Sequence, residues 1–250
     1  MTRQLLLAAA TALALVQTSL PVHAAGVPAH ITAAVADSAR PAADRDRDAN
    51  RKPAETLAFV GVKPGQRVAE MMPGGGYFTR LLSGVVGPKG KVYALAPPPM
   101  GSRDMGAAVR AIAADSHYSN VTVAELSVKD FKVPEPVDLV WTSQNYHDFH
   151  NMLSGDMAAF NKAVFDALKP GGIYIVLDHA AAPGSGSRDT QSLHRIDPET
   201  VKQEVLAAGF KLDKESDVLH NAADPHTANV HDGAIRGTTD QFILKFRKPG

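Results

Sequence analysis

The chain has 250 residues, with 26 basic side chains against 26 acidic ones and no cysteine. A formal charge of zero argues against broad electrostatic binding to nucleic acid or to an anionic membrane. Without cysteine there is no disulfide, no lipid-bearing cysteine, and no thiolate to serve as nucleophile or metal ligand.

Residues 1–24 read as a secretory signal peptide. Arg3 gives a positive start, Leu5 to Val16 is apolar and uncharged, and Val22-His23-Ala24 is a small-residue cleavage pattern. The apolar run falls short of the ~20 residues that span a bilayer, so export to a periplasm is the expected outcome. Residues 25–52 are rich in Ala, Asp and Arg and have no apolar period. They read as an extended charged arm ending in a polar helix, with Arg45, Asp46 and Arg47 able to act as a lid. The remainder, residues 53–248, suits one domain with a real core.

From Pro53 the chain alternates. PAETLAFV predicts a helix with Leu57 and Val60 on one face, stopped by Gly61. Strands are expected at 66–71, 91–95, 121–125, 137–142, 173–177, 211–218 and 240–246. Helices are expected at 77–86, 103–114, 155–168 and 198–208. Lys169-Pro170-Gly171-Gly172 reads as a turn, and IYIVL after it as a strand buried on both faces. Alternation of this kind predicts a parallel sheet covered by helices on both faces. Residues 220–238 read as a polar loop holding His220, His226 and His231.

The stretch QRVAEMMPGGGYFTR, Gln66 to Arg80, is a strand, a glycine turn and a helix start. Glycine lacks a Cβ, so backbone there takes positive φ and a ligand can approach closely. A helix beginning at such a turn also presents free N–H groups. The expectation is a cofactor pocket; a bare βα turn is the alternative.

VKPGQRVAEMMPGGGYFTRLLSGVVGPKGKVYAL, VDLVWTSQNYHDF, LKPGGIYIVLDH and HRIDPETVKQEVLAAGF, in this order, resemble the class I S-adenosylmethionine-dependent methyltransferases. Among these the chain is similar to a bacterial group of exported predicted methyltransferases, over roughly Pro53 to Lys248. The resemblance implies a Rossmann-like α/β fold with a seven-stranded, mostly parallel sheet whose last strand is antiparallel. It implies S-adenosylmethionine as cofactor, its methionine end cradled by Glu70, Pro73, Gly74, Gly75 and Gly76, with Tyr77 and Asn145 alongside. Glu125, after the third strand, falls near the adenine in this picture, with an ordinary solvated acid at a strand end as the alternative. Two positions depart from the family pattern: Met72 stands where a glycine is usual, and no acid follows the second strand, where Ala96 precedes three prolines.

Ligands in open α/β sheets bind at the carboxyl ends of strands. Three polar clusters are expected there: Ser143 to Asp148, Asp178-His179, and His194-Arg195-Ile196-Asp197. Methyl transfer is an in-line displacement, so positioning does most of the work, worth ~7–11 kcal/mol. A base helps when the acceptor carries a proton, and histidine titrates near working pH. His147 is the expected base, with Asp148 or Asp178 orienting it, His179 and His194 lining the acceptor site, and Arg195 clamping an acidic small-molecule substrate. No short metal-binding spacing such as HExxH occurs, so no metal is assigned, although His147, Asp148, His179 and His194 are ligand-type side chains. Two alternatives remain open: a ligand-binding or accessory protein that keeps the fold without methyl transfer, and a metal-dependent enzyme using the histidine rim.

Overall fold

A computed structural model describes residues 26–250. The signal peptide read at residues 1–24 lies outside the described residues. The described strands are β1 (Arg67–Met71), β2 (Lys91–Ala96), β3 (Val121–Glu125), β4 (Val137–Ser143), β5 (Leu168–His179), β6 (Lys211–Ser216) and β7 (Gln241–Arg247). They form one seven-stranded sheet in the order β3-β2-β1-β4-β5-β7-β6. Strands β1 to β5 pair in parallel, and β7 runs antiparallel to both β5 and β6. The described helices are α1 (Ala29–Val35), α2 (Ala42–Arg45), α3 (Asp48–Arg51), α4 (Pro53–Val60), α5 (Tyr77–Val86), α6 (Ala107–Ala114), α7 (Tyr146–Met152), α8 (Ala158–Ala167) and α9 (Pro198–Ala207).

Successive strand residues point to opposite faces, so each central strand feeds two cores. In β4, Leu139 and Trp141 join one core while Val140 joins the other. In β5, Ile175 and Leu177 oppose Tyr174 and Val176 in the same way. The first core packs against α1, α4, α5 and α6 through Ile31, Leu57, Phe78, Leu81 and Val109. The second packs against α7, α8 and α9 through Phe149, Phe160, Val164 and Val201. No helix among the described residues is long and apolar enough to cross a membrane.

The charged arm is not extended. Its residues form α1, α2 and α3, and α1 lies on α5 with Ile31 fully buried. Ile31 and Ala34, three apart, make the apolar face that composition concealed. The helix expected at 155–168 is α8, and a further helix that was not expected, α7, precedes it across a turn in which Ser154 and Gly155 take positive φ. The helix expected at 103–114 starts at Ala107, because the Asp104 side chain accepts from the Gly106 amide and holds a turn there. Strand β5 is longer than expected at both ends. Its Lys-Pro-Gly-Gly segment is held beside the C-terminal end of the chain, where Gly171 N–H donates to Lys248 O and Lys248 N–H to Gly172 O.

Candidate active site

Two neighbouring features meet at the carboxyl ends of β1, β4 and β5. The first is the glycine turn. Met72, Gly74 and Gly76 all have positive φ, at 47°, 56° and 80°. A Cβ on Gly76 would lie 2.1 Å from Ile112 Cδ1, so glycine there is fixed by packing as well as by backbone. A Cβ on Gly74 or Gly75 would meet nothing, because these two face the cleft. Met72 occupies a left-handed position that glycine fills without steric cost. That explains physically why a methionine at this point is unusual.

Glu70, at the end of β1, lines the cleft and is only 3% exposed. Burial pushes its carboxyl up to about 7, against the hydrogen bond from Thr79 Oγ1 at 2.6 Å and the charges of Arg51 and Arg80.

The cleft's other wall comes from the N-terminal segment. Arg51 donates to Ser143 Oγ and Gln144 Oε1, both at 3.2 Å, and lies over the rings of Tyr77 and Phe78 at 4.5 and 4.8 Å. Arg47 covers Tyr77 at 5.4 Å. The nearby acid, Asp48, is already engaged by Arg40 through a two-pronged ion pair and by the Tyr77 hydroxyl at 2.6 Å. Arg51 therefore has no carboxylate partner among the described residues. Burial and the charge of Arg47 pull its pKa down to about 10, against the weaker opposing pull of Tyr77, Glu70 and Asp44. The lid expected from Arg45, Asp46 and Arg47 is in fact built by Arg47 and Arg51. Arg51 carried no sequence signal beyond its place in a charge run.

The second feature is a histidine cluster. Asn145 links it to the cleft: its side-chain amide donates to Ser143 O at 2.7 Å and Met72 O at 3.3 Å. Two residues on, His147 lies in the first turn of α7, after the fully buried Tyr146, and is 3% exposed. Asp178, fully buried at the end of β5, accepts from the His147 amide at 2.9 Å and the His179 amide at 2.8 Å. Its Oδ1 also stands 2.8 Å from His147 Nδ1. A carboxylate only accepts, so Nδ1 carries the proton and Nε2 is the free nitrogen. Burial works against a charged ring, but Asp178 and then Asp148 outweigh it and hold the His147 pKa above the ordinary histidine value. Burial likewise works against a charged Asp178, and His147 overcomes it and keeps that carboxyl low.

Nε2 of His147 stands 3.5 Å from Asp148 Oδ1, and His194 Nδ1 stands 3.8 Å from the same oxygen. His194 takes φ of 55°, and its ring lies 5.4 Å from that of His147 and 4.9 Å from that of His231. Burial, followed by the charge of His147, lowers its pKa. His179 sits behind His147 with ring centroids 6.2 Å apart, its Nδ1 at 2.8 Å from Thr239 Oγ1. Burial pulls it down to about 4, so it stays neutral.

Two expected site residues are placed elsewhere. Arg195 is fully buried, and its guanidinium is consumed by Asp224, Ala180 O and Ala228 O. It braces the loop before α9 and is not placed to clamp a substrate, because it is fully buried and each of its three nitrogens already has an acceptor. Glu125 ends β3 as the register partner of Ala96, exposed and outside the cleft. Glu70, Pro73, Gly74, Gly75, Tyr77 and Asn145 do line one cleft, and Gly76 closes its floor against α6. A larger hollow between α8 and α9 is lined by Met157, Lys162, Glu204 and Gly209. Two of its polar side chains are paired, Lys162 with Asp166 and Glu204 with His150 and Tyr146.

Sheet order and the reversed β7 define the Rossmann-like class I methyltransferase fold. Solved structures with this fold include an S-adenosylmethionine-dependent methyltransferase from Aquifex aeolicus, at 18% identity and a TM-score of 0.60, covering 81% of this chain and 93% of that one. An arsenic(III) S-adenosylmethionine methyltransferase from Chlamydomonas reinhardtii matches at 18% identity and 0.55, covering 89% and 74%. The cyclase SpnF matches at 20% and 0.58, covering 83% and 81%. No protein-family model and no curated protein sequence matches the chain.

Proposed function

We propose that the chain is an exported S-adenosylmethionine-dependent methyltransferase acting on a small molecule. One observation carries the reading most: a glycine-walled cleft at the end of β1 that contains a half-buried cation, Arg51, with no direct carboxylate partner among the described residues. The methionine end of S-adenosylmethionine has the complementary groups. Its carboxylate suits the Arg51 fork, and its ammonium suits Glu70 and the Asn145 side of the cleft. The acceptor belongs at the histidine cluster, which the Ser143–His147 segment joins to the cleft. There Asp178 fixes the His147 ring, and Nε2 takes the acceptor's proton as the methyl group arrives.

Calorimetric titration of the folded chain with S-adenosylmethionine and its demethylated product tests this. Both should bind. Arg51→Ala should weaken the demethylated product at least tenfold yet leave methylthioadenosine, which lacks the carboxylate, within about threefold. His147→Ala should lower turnover about 10²-fold or more while product binding stays nearly intact. Folded protein that binds neither nucleoside overturns the reading. A second reading, a ligand-binding protein without methyl transfer, is favoured by Met72 and by Ala96-Pro97 at the end of β2. Tight cofactor binding with no methyl product from any acceptor tested would favour it.

A further inference from the structure

We infer that His147, Asp148 and His194 form a binding site for one divalent transition-metal ion. His147 Nε2, one Asp148 oxygen and one ring nitrogen of His194 all lie within 4.8 Å of one another. Two of the separations are 3.5 and 3.8 Å. Donors about 2.1 Å from a tetrahedral ion stand ~3.4 Å apart, so closing this triangle takes only small side-chain shifts.

Three further features fit a built site rather than a chance meeting. Asp178 holds His147 Nδ1 at 2.8 Å and is itself fixed by two backbone amides, the carboxylate–histidine support that metal-ligating imidazoles use. His194 is held in left-handed backbone, a conformation costly for a non-glycine residue and concentrated at functional sites. Two carboxylates, Asp148 and Asp178, flank the imidazoles, so a cation entering there meets compensating charge.

Two imidazoles and one carboxylate select a borderline ion such as Zn²⁺ or Co²⁺ over Mg²⁺ or Ca²⁺, which prefer oxygen alone. Three protein ligands on one rim leave a further position for a water or a substrate oxygen. The chain separates these ligands by 46 residues between Asp148 and His194, so no short motif announces them. The other histidine pair on an acid, His220 and His226 on Asp240, is not assigned a metal, because Asp240 already takes one imidazole on each oxygen. A cation on Nε2 would occupy the lone pair otherwise open to a proton, and would itself acidify a bound acceptor oxygen.

The test reads the metal alone and so does not depend on the methyl-transfer reading. The chain, purified without a histidine tag and stripped with chelator, is titrated with Zn²⁺ by calorimetry and with Co²⁺ by visible absorption. One Zn²⁺ should bind per chain, and Co²⁺ should show the d–d bands of a low-coordinate site. His194→Ala and Asp148→Asn should each weaken Zn²⁺ at least tenfold, and Asp178→Asn by 10–100-fold, with circular dichroism unchanged. His226→Ala should leave binding as it is. Folded wild-type chain that takes up less than one equivalent at micromolar Zn²⁺ overturns the site. So does affinity that survives His194→Ala and Asp148→Asn, or that is lost with His226→Ala.

Discussion

Glu70 holds its proton close to neutrality because its carboxyl is buried beside the glycine turn. The folded-state pKa, about 7, lies above the ordinary 4.5. Its contribution to stability is therefore complete below about 4.5 and is lost as pH rises through about 7. A shift of that size corresponds to ~3 kcal/mol, to order of magnitude. Gln is the neutral isostere and can still accept from Thr79. Glu70→Gln should match the parent at about pH 4 and exceed it by ~1–3 kcal/mol at about pH 8 in urea denaturation. Equal stability at both values would mean that Arg51 and Arg80 keep Glu70 charged. A cationic group bound in the cleft should pull the Glu70 pKa down, so ligand binding near pH 7 should release protons. That release is measurable as a buffer-dependent binding enthalpy and should vanish in Glu70→Gln. Sequence could place Glu70 at the end of a strand, but not its burial, which depends on Thr79, Arg51 and α5 closing around it.

Among the elements, the turn from β1 into α5 has two kinds of glycine. Gly76 is pressed against Ile112, whereas Gly74 faces open space. Gly76→Ala combines a positive-φ cost with a clash against α6 and should destabilise by ~2–4 kcal/mol. Gly74→Val meets no atom at its Cβ and should cost only ~1–2 kcal/mol, while its side chain fills the cleft and removes nucleoside binding. Urea denaturation paired with product titration separates the two, and a reversed order would mean the turn has another geometry. The glycine run was legible in the sequence, and so were the strands, because β1, β4 and β5 are apolar runs bounded by turn residues. Helix α7 was not. Its seven residues include two histidines, an aspartate and an asparagine, and its buried face is marked only by Tyr146 and Phe149. A period of 3.6 cannot declare itself in two turns. The sequence left the choice between Asp148 and Asp178 as the partner of His147 open, and α7 settles the closer contact on Asp178, 31 residues away.

At the scale of the whole molecule, the N-terminal segment changes from an appendage to a wall of the candidate cleft. Helix α1 lies so close to α5 that a Cβ on Gly84 would stand 2.9 Å from Ala34 Cβ. Ile31 reaches the first core from α1 and is fully buried. Arg40 is almost fully buried and binds Asp48, and Asp48 accepts from Tyr77 at the start of α5. This chain of contacts seats α3, and with it Arg47 and Arg51, over the glycine turn. Composition could not show it, because the partners of each charge lie in another element and the apolar face has one large residue. The consequence is a stability effect in a place where sequence suggests none. Substitutions on a solvated arm stay within about 0.5 kcal/mol, whereas truncating a buried isoleucine costs ~2–5 kcal/mol. Ile31→Ala should therefore lower unfolding stability by ~2–4 kcal/mol, and the melting temperature by roughly 4–12 °C for a domain of this size. Seating of α3 depends on the same packing, so the variant should also bind the demethylated cofactor product more weakly at temperatures where it remains folded. A change under 0.5 kcal/mol in urea denaturation would return the segment to an arm and remove the argument for Arg51 as part of the cleft.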